Sequence, residues 1–290
     1  IDIAHKIKDK FDADNLEEIS VASPGFINFK LSKIWLEKEI IRCIDLKNNF
    51  GSQTKNNKKV QVEFVSVNPT GKLHLGHIRG AVIGSTISNI LESQNFTVTR
   101  EYYVNDAGNQ IEFFCKSIIE RIKELQGKDF NITDEMYGGI DILDISKKII
   151  NKYPDYQNYD FSNITEDEFE GLKKISIEIC INEIMDDLKS LNISHDNWFS
   201  ESSLIDTGYL DETISILKEL NLIYVKDEAT WIKTEELGDD RDNVLFKSSD
   251  KKPTYFATDI AYHRNKFKER SFEKVINVWG SDHHGHIKRM

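Results

Sequence analysis

His74 and His77 stand three residues apart in the run Asn68-Pro-Thr-Gly-Lys-Leu-His-Leu-Gly-His77. That spacing puts two imidazoles on one face of a helix. A helix start also offers free N–H groups and the positive end of the helix dipole, so the segment suits a phosphate. Gly76 lets backbone come close to a bound group. The run has no Gly-rich Walker pattern and is not a P-loop. By itself, an H-x-G-H pattern describes two histidines capping an ordinary helix as well as it describes a phosphate site.

Other residues raise the same question. Glu63 sits in an apolar run, where an unpaired carboxylate is costly. Asp259 follows residues 254–258, which read as an extended segment. For both, a structural salt bridge or a capped turn competes with a binding role. The Asp-His-His-Gly-His run at 282–286 packs three histidines into four residues across a turn at Gly285. Such residues do not easily converge on one ion, so no metal site is expected there.

The elements that must position these groups are readable. Residues 60–67 predict a buried parallel strand, 68–76 a loop, 77–93 a helix and 96–104 a further strand. This is a βαβ unit, the seed of a doubly wound parallel sheet of the α/β class. Residues 275–279 predict a last buried strand. Polar motifs thus follow three strand ends, at 68–77, 105–110 and 280–284, where open α/β sheets bind ligands. Helices are expected at 111–125, from a Thr165/Glu168 capping box to about 191, and around 210–217. Residues 151–163 look irregular, and 222–225 with 230–232 read as a hairpin. The stretch 115–245 reads as an insertion between two halves of one sheet. Ahead of a polar linker at 48–59, strands at 19–21 and 26–31 and a Ser32-capped helix at 32–48 suggest the end of a small α+β domain, with a boundary near residue 55. No internal repeat is visible.

Composition bounds the function. The 290 residues are 39 % hydrophobic and 30 % charged, with a formal net charge of −11. That balance disfavours a protein that coats nucleic acid non-specifically. Two local basic clusters, Lys55/Lys58/Lys59 and Lys266/Lys268/Arg270, read as solvated faces. No apolar run approaches the roughly 20 residues of a membrane helix, and residues 1–10 show no signal-peptide pattern. Cys43, Cys115 and Cys180 are too few and too scattered for a disulfide framework or zinc knuckle, so buried reduced thiols in a cytoplasmic protein are expected. The first residue is not Met, and the last segment stops at the start of an element. The chain therefore reads as a fragment cut at both ends.

The run at 63–77 resembles the first signature of the class I aminoacyl-tRNA synthetases, with His-Leu-Gly-His in place of the general H-I-G-H. Four further blocks, at 100–110, 197–201, 254–263 and 280–284, sharpen the resemblance to the arginine–tRNA ligase family. Residues 24–29 also resemble the end of that family's N-terminal domain. The resemblance implies a Rossmann-like catalytic domain at 56–290, preceded at 1–55 by part of a tRNA-contacting domain. It implies a ligase of protein biosynthesis that uses ATP with Mg²⁺, arginine and tRNA. His74 and His77 are then the catalytic pair. Pro69, Thr70, Gly71, His74, Gly76, His77, Gly280, Asp282 and His283 lie along ATP. Glu63, Asn68, Tyr255 and Asp259 surround the arginine, with Gln110 nearby. Asn68 binds its α-amino end, and Tyr255 packs on or bonds to its side chain. A planar guanidinium asks for carboxylates in fork geometry, which suits Glu63 and Asp259. The family's K-M-S-K-type loop and anticodon-binding domain are not found in these 290 residues, which are expected not to charge tRNA alone. A monomer without a membrane partner is expected. Another H-x-G-H nucleotidyltransferase and a non-catalytic RNA-binding relative are the competing readings.

Overall fold

The computed structural model describes residues 1–11, 14–53, 57–247, 252–288 and 290, and the backbone alone of Asp282. The expected boundary near residue 55, Lys55 of the first basic cluster and the Asp282 side chain lie outside the described residues. The chain divides into two compact units, Ile1–Lys55 with Ser93–Asn95, and Asn56–Glu92 with Phe96–Met290.

The smaller unit holds α1 (Asp2–Lys8), an antiparallel hairpin of β1 (Leu16–Ala22) and β2 (Phe26–Leu31), and α2 (Lys33–Leu46). Ser32 caps α2, its Oγ accepting from Trp35 N at 3.2 Å. Cys43 on this helix is exposed, so buried thiols hold only for Cys115 and Cys180. The reason is local, since α2 buries none of its residues.

In chain order the larger unit runs β3 (Lys59–Phe64), α3 (Leu75–Ser93), β4 (Thr97–Val104), α4 (Asn109–Leu125), α5 (Ile140–Lys152), α6 (Glu166–Ser190), β5 (Asn197–Ser200), α7 (Ser202–Asp206), α8 (Tyr209–Glu219), β6 (Ile223–Lys226), β7 (Ala229–Ile232), β8 (Asn243–Phe246), α9 (Tyr255–Arg264) and β9 (Lys274–Val278). Among the described residues, β5, β4, β3 and β9 form one parallel sheet in that order. The chain steps from β3 to β4 to β5 in one direction, and β9 returns on the other side of β3. Strand order therefore reverses between β3 and β9. In open α/β sheets the crevice at such a reversal, outside the carboxyl ends of the strands, is where ligands bind. The expected α/β class and parallel sheet are those observed.

Val60, Val62 and Phe64 of β3 and Tyr102 and Val104 of β4 form the sheet core with Ala81 of α3 and Ile184 and Leu188 of α6. Gly84 permits the close approach of α3, because a Cβ there would stand 2.2 Å from the Phe64 ring. β3 ends at Phe64 rather than near residue 67. Val65 and Ser66 take positive φ angles of 71° and 45°, which breaks the extended run.

The region expected as one insertion is divided. β5 lies within it and pairs with β4, Glu101 opposite Asn197 and Val104 opposite Ser200. A four-residue strand gives little alternation to read. Ahead of β5, α4, α5 and part of α6 share a separate apolar core around Phe114, Ile118, Ile145, Ile149 and Leu172. The Thr165 capping box is present, with Glu168 N to Thr165 Oγ1 at 3.3 Å and Thr165 N to Glu168 Oε2 at 2.9 Å. The irregular stretch contains two 3₁₀ turns, Pro154–Gln157 and Phe161–Asn163. Beyond β5, the hairpin β6–β7 is extended by β8 into an antiparallel sheet. Among the described residues, no helix is long and apolar enough to cross a membrane.

The segment holding Asp259 corrects an expectation. It is helix α9, not extended chain. Thr254, with φ −80° and ψ 162°, stands at its N-cap and gives its hydroxyl to Val244 O at 2.8 Å. Tyr255 and Asp259 therefore lie four apart on one helical face.

Candidate functional site

The loop after β3 is fixed before it reaches the histidines. The Tyr102 hydroxyl accepts from Val67 N at 3.0 Å and donates to Val67 O at 2.8 Å. Ser66 Oγ accepts from Tyr103 N at 3.0 Å and donates to Glu63 Oε1 at 3.3 Å. Pro69 is buried, Thr70 N closes a tight turn onto Asn68 O at 2.8 Å, and a Cβ on Gly71 would stand 3.2 Å from Asp141 Oδ2 of α5.

The loop delivers His74 and His77 to the start of α3. Their rings stack with centroids 3.4 Å apart and planes 24° apart. His74 Nδ1 accepts from Gly76 N at 3.1 Å, and a Cβ on Gly76 would meet the same ring at 3.0 Å. His74 therefore caps the helix, and Gly76 makes room for the ring. Burial, helped by His74, holds His77 below the ordinary histidine range. A neutral imidazole in that position is poised to gain a proton or donate a hydrogen bond when an anion arrives.

The end of β9 lies beside the end of β3, with Phe64 opposite Val278. Gly280 leads into a 3₁₀ turn, Ser281–His286. His283 is exposed, its ring 5.5 Å from that of Trp279. The β3 and β9 loops thus flank the strand-order reversal.

A second group of residues forms a polar web across the ends of β3, β4 and β5 and the first turn of α9. Asn68 Nδ2 donates to Gln110 Oε1 at 2.6 Å. With the Asn105 amide turned so that its nitrogen faces the carboxylate, it donates to Glu201 Oε2 at 2.8 Å and to Ala107 O at 3.2 Å, and its oxygen stands 3.2 Å from Asn68 Oδ1 without a hydrogen bond. The Thr258 hydroxyl donates to Glu201 Oε1 at 2.7 Å and lies 3.0 Å from Tyr255 O. The Tyr255 hydroxyl meets Asn105 and lies over Gly108, where a Cβ would stand 3.7 Å away. The structure thus links Tyr255 with Asn105, Glu201 and Thr258, and sets the Asn68–Gln110 pair beside them. Those three linking residues lie inside the sequence blocks but are not evident as site residues without α9 in place.

Glu63 is placed differently. Its Oε2 accepts from Lys266 Nζ at 2.6 Å, and Lys266 also donates to Asn277 Oδ1 at 3.0 Å. Asn277 meets His263 Nε2 at 3.1 Å. Lys266 is fully buried, and Arg270 is bonded to the buried carboxylate of Glu101. In the second basic cluster Lys268 is exposed as expected, but Lys266 and Arg270 are not part of a solvated face, because each neutralises a carboxylate from a central strand. Burial pulls Lys266 below its ordinary value, against the opposing pull of Glu63.

Known proteins resemble the chain over its length. Residues 39–290 match the family described as tRNA synthetases class I (R), catalytic domain, and residues 1–31 match the arginyl tRNA synthetase N terminal domain. An arginine–tRNA ligase of Geobacillus thermodenitrificans is 43 % identical over 292 residues, covering 99 % of this chain and 51 % of its own length. One of Dehalococcoides mccartyi is 43 % identical over 276 residues, covering 95 % and 49 %. A solved Campylobacter jejuni structure, assigned as an arginyl-tRNA synthetase, superposes with a TM-score of 0.79 at 34 % identity, covering 90 % of this chain and 56 % of that one. The chain spans about half the length of the curated relatives it matches.

Proposed function

The chain belongs to the arginine branch of the class I aminoacyl-tRNA synthetases, and from that membership we propose that the whole protein activates arginine with ATP and transfers it to tRNA in the cytoplasm. The observation that carries the reading is the strand-order reversal between β3 and β9, with the stacked pair His74/His77 on one side and Gly280–His283 on the other. It supports a nucleotide lying across the crevice, phosphates at the start of α3 and adenosine toward Gly280, Asp282 and His283.

ATP enters with its Mg²⁺ as substrate. The arginine carboxylate attacks the α-phosphorus, and pyrophosphate leaves with the bonding electron pair. No side-chain nucleophile is required, so the protein's part is alignment and charge stabilisation. His77, held neutral beforehand, hydrogen-bonds the phosphate oxygens most strongly as charge builds. His74 caps α3 and keeps the helix N–H groups aimed the same way. Pro69, Thr70 and Gly71 shape the loop beneath the nucleotide. The terminal ribose hydroxyl of tRNA then attacks the arginyl carbonyl, and AMP leaves.

For the amino acid, Asn68 and Gln110 take the α-amino end, and Tyr255 packs along the side chain. Asp259 meets the guanidinium from the same face of α9. Glu63 has Oε2 committed to Lys266 and Oε1 in a longer bond from Ser66, so a substrate that meets Oε1 shares it with that hydroxyl. The test is ATP–pyrophosphate exchange by the complete protein with Mg²⁺ and cognate tRNA. Arginine should drive exchange and lysine should not, since a point-charge ammonium does not reproduce the guanidinium fork. Equal exchange with lysine overturns the reading.

A further inference from the structure

Lys266 bridges two parallel strands. Its ammonium donates to Glu63 Oε2 of β3 at 2.6 Å and to Asn277 Oδ1 of β9 at 3.0 Å, and Glu63 and Asn277 are register partners. A π-helical turn, Asn265–Glu269, carries it there from the end of α9, with Arg270 N bonded to Asn265 O at 3.1 Å. Such turns are rare and are frequent at functional sites. An ammonium only donates, so the oxygen of the Asn277 amide must face it and the amide nitrogen must face away. That nitrogen stands 3.1 Å from His263 Nε2. It too only donates, so Nε2 must be the unprotonated, accepting nitrogen of the ring. The proton of the neutral imidazole is then on Nδ1, which lies 2.9 Å from Asp259 O and donates to it. Burial lowers His263 to about 4, with Lys266 adding to it, so the ring is neutral near pH 7. One directed chain results, from α9 through β9 to β3. Reversing the ring would set two donors against each other at Asn277.

Helix α9 needs such a link. Its apolar residues Phe256, Ala257, Ala261 and Tyr262 share a core with Leu204 and Leu245. Apolar burial is non-directional, so it leaves the rotation of a helix about its own axis loosely defined. Directional bonds define it. Thr258 bonds Glu201 near the start of α9, and His263 bonds Asn277 near its end. His263 lies one turn beyond Asp259 and two beyond Tyr255, so the three share a face.

We propose that His263 is a positioning residue: holding its one proton on Nδ1, it locks α9 to β9 through Asn277 and so keeps Tyr255 and Asp259 turned toward Glu63 across the bound arginine. Lys266 completes the lock, because it grips Asn277 and Glu63 together. His263, Asn277 and Lys266 touch no substrate in this role. It rests on the reading of Glu63, Tyr255 and Asp259 as the residues around arginine and deepens it. A helix free to turn would carry Asp259 off the guanidinium. The places given to ATP, at the start of α3 and at Gly280, sit on other elements and would keep their form. Loss of the lock therefore weakens arginine binding more than it slows the chemical step.

Two substitutions each keep one half of the ring's bonding. In His263→Gln the side-chain oxygen reaches the place of Nε2 and can accept from Asn277. In His263→Asn the amide reaches only the place of Nδ1 and can serve Asp259 O alone. The measurement is arginine-dependent ATP–pyrophosphate exchange by the complete protein with Mg²⁺ and cognate tRNA. His263→Asn should raise the KM for arginine about fivefold, the scale of one neutral hydrogen bond, and His263→Gln by less than about twofold. The KM for ATP should stay within about twofold in both, with kcat nearly unchanged. The opposite order, with His263→Gln the weaker, would make the ring a helix-end cap and overturn the proposal. An unchanged KM for arginine in both variants, or an equal rise in the KM of both substrates, overturns it too. Neutron diffraction of the unaltered protein needs no variant to fold. A deuteron on Nδ1 of His263 is expected, and one on Nε2 breaks the directed chain and overturns the proposal. Exchange driven equally by lysine in the unaltered protein removes the substrate reading and this role of His263 with it, while leaving the deuteron on Nδ1.

Discussion

Glu101 and Glu201 are buried carboxyl groups of one sheet region, and they differ in the charge that surrounds them. Glu101 on β4 receives both terminal nitrogens of Arg270, one of them at 2.9 Å, with the Tyr262 hydroxyl at 2.5 Å, the Asn197 amide at 2.7 Å and the Gln61 amide. Glu201 has the same kinds of neutral donor and no guanidinium. Burial works against the charge at both. At Glu101, Arg270, Tyr262 and Asn197 overcome it and hold the group below the ordinary carboxylate range. At Glu201 nothing does, and the group rises to about 7. Where the fold needs a buried charge, it brings the counterion itself. At Glu201 the described residues facing it are neutral donors and the acidic Asp259 and Asp106.

The comparison is broken most directly by giving Glu101 the surroundings of Glu201. Arg270→Met does this, leaving Tyr262, Asn197 and Gln61 as neutral donors. Removing one partner of a buried pair costs about 3–5 kcal/mol, because the remaining charge is uncompensated. Urea unfolding of the complete protein should show that loss, and adding Glu101→Gln should recover part of it. An unchanged unfolding midpoint would mean that the pair does not hold the fold.

The converse variant acts on the crevice. His77→Ala in the complete protein should lower the arginine-dependent exchange rate by about 10²-fold, the scale of losing a transition-state donor, with little change in thermal stability. A large fall in melting temperature with unchanged activity per folded molecule would assign the stacked pair to helix capping alone.

Protonation separates the two regions again. His195 packs against Phe64 at 4.2 Å between ring centroids, and its Nε2 meets Phe64 O at 3.2 Å. Burial lowers it to about 4 from an ordinary 6.5. A histidine whose folded value is depressed contributes stability that is complete above about 6.5 and is lost as pH falls toward 4. At pH 5 the loss is about 2 kcal/mol. His195→Gln should flatten that part of the stability profile. Glu201 acts in the opposite sense, its folded value lying above its ordinary one, so its contribution fades as pH rises from about 4.5 to about 7. A stability profile unchanged in His195→Gln would show that the imidazole is not the group that titrates.

The sequence made the βαβ unit legible because β3 is apolar and the Asn68–Gly71 turn is polar, whereas the apolar stripe read on α3 is buried only in part, Ile87 and Leu91 packing on the core while Ile83 and Ile90 are exposed. The Thr165 capping box was equally local. What escaped depends on distance along the chain. Lys266 and Arg270 look like a solvated basic cluster until β3 and β4, 203 and 169 residues earlier, supply Glu63 and Glu101. Glu201 looks like the end of a short motif until Thr258, 57 residues later, turns up on its carboxylate. α9 does not look like a helix in the sequence because Thr254-Tyr-Phe-Ala-Thr258 has the β-branched and aromatic composition of a strand. Tertiary packing over Leu245 and Leu210 decided otherwise.

The finest test of the comparison is Tyr255→Phe. The ring and its half-exposed position remain, and only the hydroxyl that meets Asn105 is lost. One neutral hydrogen bond is worth about 1 kcal/mol, so the KM for arginine should rise roughly fivefold with kcat nearly unchanged. The effect should depend on Glu201. If Asn105 carries the connection, Tyr255→Phe and Glu201→Gln together should raise KM by less than the product of their separate effects, since each loosens the same amide. Strictly multiplicative effects would separate the tyrosine from the carboxyl group, and would leave Asn105 as a neighbour of both that couples neither.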